Sequence, residues 1–145
     1  MRRLGIAPDF VFLDTEHVPL DRCDLAGLCT VFGSAGIPPL VRIATCSGEL
    51  ATAAVDAGAA AVVAPYIEEI QQVVDLVGAV KYRPLKGKLL AERLQQASRG
   101  APPDDSLQDY LEEHNAGRSV LVNIESTPAI EHLGICCGFP GWMRS

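Results

Sequence analysis

Four short apolar runs divide the chain, and each of them stops at a polar or turn-forming residue. They cover residues 10–13 before Asp14, 39–41 before Arg42, 61–64 before Pro65, and 120–124 before Glu125. A short, uninterrupted apolar run rich in β-branched residues is typical of a strand that is buried on both faces. The pattern therefore predicts four buried strands.

Segments with apolar residues at helical spacing lie between these runs. They span residues 20–32, 49–57 and 68–80, with Leu25, Cys29 and Phe32 on one side of the first. Gly36 and Gly58 follow the first two segments, where a left-handed residue commonly ends a helix. Alternating strands and helices predict an α/β fold with a parallel sheet, either doubly wound or closed as a barrel.

The segment from residue 81 to 119 is too long for a simple connection. It contains a polar helix candidate over 89–99, the Pro102-Pro103 break and a second helix candidate over 106–115. Long excursions from an α/β core usually serve as lids or subunit contacts. We therefore expect this excursion to be helical and to lie outside the strand–helix repeat.

Composition limits the classes of function. With 48% hydrophobic and 21% charged residues, the 145 residues have the make-up of one soluble globular unit. A net charge of −6, with clustered basic residues only over 81–88, argues against nucleic acid as a partner. No apolar stretch reaches bilayer length and no signal peptide is evident, so we expect no membrane association and a cytoplasmic location. Five cysteines without metal-site spacing are predicted to be free, buried thiols.

Candidate chemistry follows the predicted strands, because the loops after parallel strands converge at one end of the sheet. Those positions hold Asp14, Glu16, His17, Arg42 and Glu125. A histidine beside carboxylates can transfer protons, an arginine can stabilise an enolate, and a glutamate can ligate a divalent cation. Together they suit the making or breaking of a carbon–carbon bond next to a carbonyl.

Each of these residues also has a structural explanation. Asp14 can cap the following helix, His17 can be an exposed loop residue, and Arg42 and Glu125 can form a structural ion pair. Asp56, near a predicted helix end, either orients a strand-end group or makes a helix-terminal hydrogen bond.

Five motifs, taken in order, resemble those of the HpcH/HpaI aldolase and citrate lyase family. Residues 10–17 are similar to its Asp-x-Glu-His strand end and residues 40–42 to its Val-Arg strand. Residues 55–66 are similar to its Leu-Asp-x-Gly-x and Val-Pro segment, 82–87 to its Tyr-Pro-Pro-x-Gly-x-Arg-Gly loop, and 123–126 to Gln-Ile-Glu-Thr. The resemblance covers roughly residues 9–141 and implies a partial (β/α)8 TIM barrel of the phosphoenolpyruvate/pyruvate-binding type. About four of the eight strands are present, so residues 1–145 are expected to form a single incomplete barrel domain with a divergent tail over 138–145.

The resemblance also implies a function: a metal-dependent carbon–carbon lyase that cleaves a 4-hydroxy-2-oxo acid into pyruvate, or a related 2-oxo acid, and an aldehyde. His17 would be the general base, Asp14 and Asp56 would orient the His17 region, and Arg42 would contact the 2-oxo acid and its enolate. Glu125 would ligate Mg²⁺, Mn²⁺ or Co²⁺. The expected partners are a small-molecule 2-oxo acid and further copies of the chain, because a half barrel has open edges.

Two departures from the family pattern shape these expectations. Arg83 and Lys88 stand where the commoner loop has Pro and Arg, and the second metal ligand, an aspartate in a Gly-Pro-x-Asp motif, has no counterpart before Ser145. We therefore expect weak metal binding, little catalysis and marginal stability from the chain alone. Two alternatives stay open: citrate-synthase-like or citrate-lyase-like chemistry on an acyl thioester, with the basic cluster over 81–88 meeting a nucleotide phosphate, and an inactive truncated relative. A solvated surface is the simpler explanation of that cluster.

Overall fold

The structure is a computed structural model that describes residues 8–100 and 105–138. Over these residues a parallel sheet of four strands alternates with six helices. The strands are β1 (Val11–Asp14), β2 (Pro39–Arg42), β3 (Ala61–Ala64) and β4 (Ser119–Val122). The helices are α1 (Arg22–Ser34), α2 (Gly48–Asp56), α3 (Ile70–Lys81), α4 (Gly87–Ser98), α5 (Asp105–His114) and α6 (Thr127–Gly138).

The strands lie side by side in the order in which they occur in the chain. β1 pairs with β2, β2 with β3 and β3 with β4, and all three pairs are parallel. A doubly wound sheet reverses its strand order at a switch point, whereas a (β/α) barrel keeps the sequential order. Of the two alternatives that the strand–helix repeat left open, the observed order is that of a barrel segment.

Local signals set the helix ends close to the predicted positions. Asp21 caps α1 by accepting backbone N–H groups, and Ser47 does the same for α2. Gly36 and Gly58 have φ angles of 74° and 105°, as predicted for residues that end a helix. At Gly58 an added Cβ would also lie 3.4 Å from the Cβ of Cys29, so this turn packs closely against α1.

The hydrophobic core lies between one face of the sheet and helices α1 to α3. Val41 and Val62, in register on neighbouring strands, are fully buried there, and Leu76 of α3 belongs to the same buried cluster. The opposite face carries every second residue of each strand. Two registered rows lie on that face: Phe12, Leu40, Ala61 and Ser119, and then Asp14, Arg42, Val63 and Leu121.

The prediction that all four strands are buried on both faces is wrong for the two outer strands. Only β3 is buried along its whole length. On the face that carries no helix, Phe12 of β1 is 47% exposed and Leu121 of β4 is 40% exposed. β1 and β4 form the two edges of this sheet and therefore have a strand neighbour on one side only.

The excursion after α3 contains the two predicted helices, α4 and α5, while the Pro102-Pro103 break lies outside the described residues. At Gly78 an added Cβ would come within 3.1 Å of the Leu94 side chain, so this glycine lets α4 pack closely on α3. Asn115, which follows α5, is buried and donates hydrogen bonds to the carbonyls of Leu111 and Arg83. These contacts pack α4 on α3 and join the start of the excursion to its end.

Three cysteines can be assessed, and all three are free thiols. Cys29 is buried, Cys46 is half-buried and Cys23 is exposed, so the prediction of burial is wrong for Cys23, which lies in the first turn of α1. The side chains of Cys136 and Cys137 and the tail beyond Gly138 lie outside the described part of the chain. Within the described ranges, no helix has the length and apolar character that a bilayer crossing requires.

Candidate active site

Asp14 and Arg42 form the centre of the site at the carboxyl ends of β1 and β2. Strand register places the two residues opposite each other. The guanidinium binds the carboxylate through both of its oxygens, with Nε donating to Oδ1 at 2.9 Å and Nη2 donating to Oδ2 at 2.5 Å. Each side chain keeps about 19% of its surface exposed. The pair is therefore rigid and still open to a ligand.

The turn after β1 is tied to this ion pair. Asp14 Oδ1 accepts the backbone N–H groups of Glu16, at 2.9 Å, and His17, at 3.4 Å. Thr15 donates both its backbone N–H and its hydroxyl to the Arg42 carbonyl, at 2.9 and 2.7 Å. Asp14 thus holds the backbone of Glu16 and His17 by two hydrogen bonds.

Glu16 lies between the arginine and the histidine. Its Oε2 is 3.2 Å from Arg42 Nη1, an ion pair without hydrogen-bond geometry, and 3.7 Å from His17 Nε2. The His17 side chain is 69% exposed, so its ring is free to meet a substrate. The Arg42 guanidinium also lies 5.8 Å from the centre of the Phe12 ring, within cation–π range.

Charge pairing fixes the protonation of the central residues. Hydrogen bonds from Arg42 lower the pKa of Asp14 to about 2, helped by the backbone N–H groups and opposed by partial burial. Hydrogen bonding to Asp14 raises the pKa of Arg42, and the charges of Asp14, Glu16 and Glu125 act in the same direction. Both members of the pair are therefore ionised at neutral pH.

Glu125 follows β4 at the same end of the sheet. Its Oε2 accepts the backbone N–H of Tyr66 at 3.1 Å, and its Oε1 accepts Asn123 Nδ2 at 3.2 Å. Tyr66 and Asn123 were not selected from the sequence. The available signal was position, since Asn123 directly follows β4 and Tyr66 lies two residues after the end of β3.

A divalent cation fits this carboxylate in its chemistry. Oxygen ligands are those that Mg²⁺ prefers, and Mg²⁺ commonly takes one or two protein carboxylates together with substrate and water. Each oxygen of Glu125 makes one hydrogen bond, which leaves a lone pair for a metal. Over residues 8–100 and 105–138, no three His, Cys, Asp or Glu side chains are grouped to hold a metal by themselves.

Asp56 does not join this cluster within the chain. It is the last residue of α2, which runs back from the carboxyl end of β2 towards the start of β3. Its carboxylate forms an ion pair with Arg83, which follows α3 at the amino-terminal end of the sheet. Within one chain, a helix of nine residues thus separates Asp56 from the carboxyl end of the strands, and the orienting role that the resemblance implies for Asp56 stays a prediction.

Two basic side chains of the cluster over residues 81–88 make contacts within the chain. Lys81 Nζ donates to the carbonyl of Arg118, and the Arg83 guanidinium binds Asp56. Lys88, in contrast, is 88% exposed and lies within 3.6 Å of Glu92. Lys81 and Arg83 are therefore engaged within the chain, whereas Lys86 and Lys88 are exposed.

Comparison with known proteins agrees with this arrangement. The sequence profile described as HpcH/HpaI aldolase/citrate lyase matches residues 3–134. The chain is 30% identical over 133 residues to a 2-dehydro-3,6-dideoxy-6-sulfogluconate aldolase of Pseudomonas putida, covering 92% of this chain and 50% of that protein. It is 28% identical over 135 residues to a hydroxypyruvate/pyruvate aldolase of Paraburkholderia phytofirmans, covering 92% and 52%.

Solved structures give the same picture. The citrate synthase SbnG superposes with a TM-score of 0.70 at 25% identity, over 92% of this chain and 49% of that one. An HpcH/HpaI aldolase/citrate lyase family protein from Burkholderia cenocepacia superposes with a TM-score of 0.66 at 26% identity, over 92% and 52%. The chain thus spans about half the length of the relatives it matches, in agreement with the predicted partial barrel. From its profile match and its fold, the chain belongs to the HpcH/HpaI aldolase/citrate lyase family.

Proposed function

We propose that the chain carries the base and the enolate-stabilising arginine of a carbon–carbon lyase. The reaction is the metal-dependent aldol cleavage of a 4-hydroxy-2-oxo acid into pyruvate, or a related 2-oxo acid, and an aldehyde. One observation carries the proposal: Arg42, held by Asp14, is joined through Glu16 to His17 and is influenced by the charge of Glu125 at the shared carboxyl end of the strands.

The cleavage step assigns a task to each group. His17 takes the proton of the C4 hydroxyl, the C3–C4 bond breaks, and its electron pair moves to the C2 carbonyl to give the enolate of pyruvate and a free aldehyde. Protonation of the enolate at C3 then gives pyruvate. Arg42 keeps N–H groups that are not directed at Asp14 or Glu16, and these stabilise the negative charge on the enolate oxygen. Glu16 stabilises His17 once it is protonated, because the two side chains are neighbours.

Glu125 would hold the divalent cation, for which Mg²⁺, Mn²⁺ and Co²⁺ are the candidates. When bound, the cation polarises the 2-oxo group as a Lewis acid. Because Glu125 is the single carboxylate of this chain assigned to the metal, most ligands would come from substrate and water. We therefore expect metal affinity weaker than micromolar in the absence of the 2-oxo acid.

The relatives support an aldolase over the thioester alternative. The two curated relatives described above bear aldolase names, whereas the alternative is supported by a structural neighbour, the citrate synthase SbnG. Acyl-thioester chemistry with a nucleotide carrier also needs a phosphate site, and Lys81 and Arg83 are engaged elsewhere. A small-molecule 2-oxo acid substrate, self-association through the edges of β1 and β4, and a cytoplasmic location complete the proposal.

The test is a pyruvate-release assay on the purified chain with Mg²⁺ or Mn²⁺, coupled to lactate dehydrogenase. We expect slow release that stops with EDTA and falls by roughly 100-fold or more in His17→Ala, the loss typical of a missing general base. His114→Ala is the matched control, because that ring stacks on Tyr110 in α5 and is not part of the site. Metal-independent release, no release at all, or equal rates in both variants would contradict the proposal.

A further inference from the structure

Two hydrogen bonds join the loop after β3 to the segment that carries Glu125. The backbone N–H of Tyr66 donates to Glu125 Oε2 at 3.1 Å, and the hydroxyl of Ser126 donates to the carbonyl of Ile67 at 2.6 Å. Adjacent residues on one segment thus bind adjacent residues on the other. We call this pair of bonds the 66/126 clasp.

Ser126 connects the clasp to the scaffold. It is buried, and besides donating to Ile67 its oxygen accepts the backbone N–H of Ala129 at 3.1 Å, which caps the start of α6. Ile67 is 2% exposed and belongs to the hydrophobic core. One hydroxyl therefore ties the first turn of α6 to a core residue of the neighbouring loop.

The backbone conformation of Tyr66 requires stabilisation by its surroundings. Its φ angle of 49° lies in the left-handed region, which is unfavourable for residues other than glycine, and no other non-glycine residue among those described has a positive φ. Its side chain is 56% exposed, so packing of the ring does not impose this conformation. The 66/126 clasp binds the N–H of Tyr66 and the carbonyl of the next residue, so it holds the backbone on both sides of this conformation.

We propose that Ser126 is a positioning residue for Glu125. By holding Ile67 and the start of α6 together, Ser126 keeps the Tyr66 amide against Oε2 and so sets the direction of the Glu125 carboxylate. The value of that direction for metal binding rests on the function proposed above. The positioning itself can be measured without metal, substrate or turnover.

The experiment is amide hydrogen exchange by NMR on the ¹⁵N-labelled chain. In Ser126→Ala we expect the protection of the Tyr66 amide to fall by roughly tenfold or more, since both its acceptor and its loop lose their support. Ser126→Thr keeps the hydroxyl and should therefore keep the protection of the Tyr66 amide. Glu125→Ala removes the acceptor of the Tyr66 N–H and gives the contribution of this bond to the protection.

Ser47→Ala is the matched control. Ser47 caps α2 by accepting the Leu50 N–H at 3.4 Å, so its loss removes a helix cap without touching the 66/126 clasp. Unchanged protection of Tyr66 in a folded Ser126→Ala, or equal losses in Ser126→Ala and Ser47→Ala, would overturn the positioning role. If Ser126→Ala does not fold, the nearly isosteric and weakly donating Ser126→Cys replaces it, with an intermediate loss expected.

A second measurement separates this inference from the function on which its value rests. Titration with Mn²⁺ in the presence of pyruvate should show affinity about 10- to 100-fold weaker in Ser126→Ala than in the unaltered chain, the usual effect of losing a group that orients a ligand. Lost Tyr66 protection with unchanged Mn²⁺ affinity would refute Glu125 as the metal ligand and leave the positioning role standing.

Discussion

The two ends of the sheet are built around the same kind of ion pair but differ in what surrounds it. At the carboxyl end, Asp14 binds Arg42, and Glu16 and His17 lie beside the pair. At the amino-terminal end, Asp56 binds Arg83, and the neighbouring contacts are backbone carbonyls bound by Lys81 and Asn115. One pair is set among groups that can move protons, and the other among groups that hold segments together.

An aspartate–arginine pair therefore does not reveal its role by residue type. The end of the sheet decides it, because the loops after the strands converge on a ligand at one end and connect helices to the next strand at the other. Asp56 shows the point, since the ion pair that it makes links α2 to the segment after α3. Substitutions at the two ends should accordingly have different consequences.

The largest difference is expected in turnover. Arg42→Ala should lower pyruvate release by roughly 100- to 1,000-fold, because the arginine acts where charge develops in the transition state. Arg83→Ala removes the same side chain from the amino-terminal end and should leave the rate within a few-fold. Rates are compared at equal concentrations of folded protein. Near-normal turnover in Arg42→Ala, or a comparable loss in Arg83→Ala, would remove the distinction between the two ends.

The next difference concerns stability, and here the larger loss is expected at the amino-terminal end. Asn115→Ala should lower the free energy of unfolding by about 1–3 kcal/mol, because it removes the side-chain donor of the Arg83 carbonyl and one of the two N–H donors of the Leu111 carbonyl. Thr15→Val, at the carboxyl end, removes only a hydroxyl and keeps the backbone N–H bond to Arg42, so a loss of less than about 1 kcal/mol is expected. Urea denaturation measures the free energy of unfolding of both variants, and equal losses would contradict the expected difference.

Acidification should reveal the ion pair at the carboxyl end. The pKa of Asp14 is lowered from its ordinary value of 3.8 to about 2, so its contribution to stability is fully present above pH 3.8 and disappears as the pH falls through 2. The unfolding free energies of the unaltered chain and Asp14→Asn should differ by a constant amount from pH 7 to about pH 4. Below that the gap should narrow, and a gap that stays unchanged down to pH 2 would contradict the pairing.

The smallest effect is expected from the ion pair at the amino-terminal end. Asp56 has 57% of its side chain exposed, and an exposed ion pair contributes less than about 1 kcal/mol. Asp56→Asn should therefore lower the free energy of unfolding by less than that amount and leave pyruvate release unchanged. A large loss of activity with intact stability would support the orienting role that the resemblance implies for Asp56.

Much of the fold was predictable because burial and helix periodicity are local in the sequence. The apolar runs located all four strands, and the helix limits agree within about two residues, since Asp21, Ser47 and Gly58 are local signals. The exposure of Phe12 and Leu121 was not predictable from the runs. It depends on which strands lie at the edges, and this is a property of the assembled sheet.

The site was predictable in part for the same reason. Asp14, His17, Arg42 and Glu125 were selected because they follow strands, and strand order then brings them to one end. The role given to Asp56 came from a motif, and a motif does not state at which end of the sheet its residue lies. Ser126 was missed because its role depends on the carbonyl of Ile67, 59 positions earlier in the chain.

The attachment of the first loop has a consequence for how such a site can be altered by engineering or evolution. Thr15 binds the Arg42 carbonyl through its backbone N–H as well as its hydroxyl, so the β-ladder is in effect extended one residue beyond β1. The segment between this anchor and the cap at Asp21 holds Glu16 and His17 and supplies no residue to the buried core. Its length and composition can therefore vary with little effect on folding, and new proton-transfer chemistry is accessible by exchanging five residues between two fixed points.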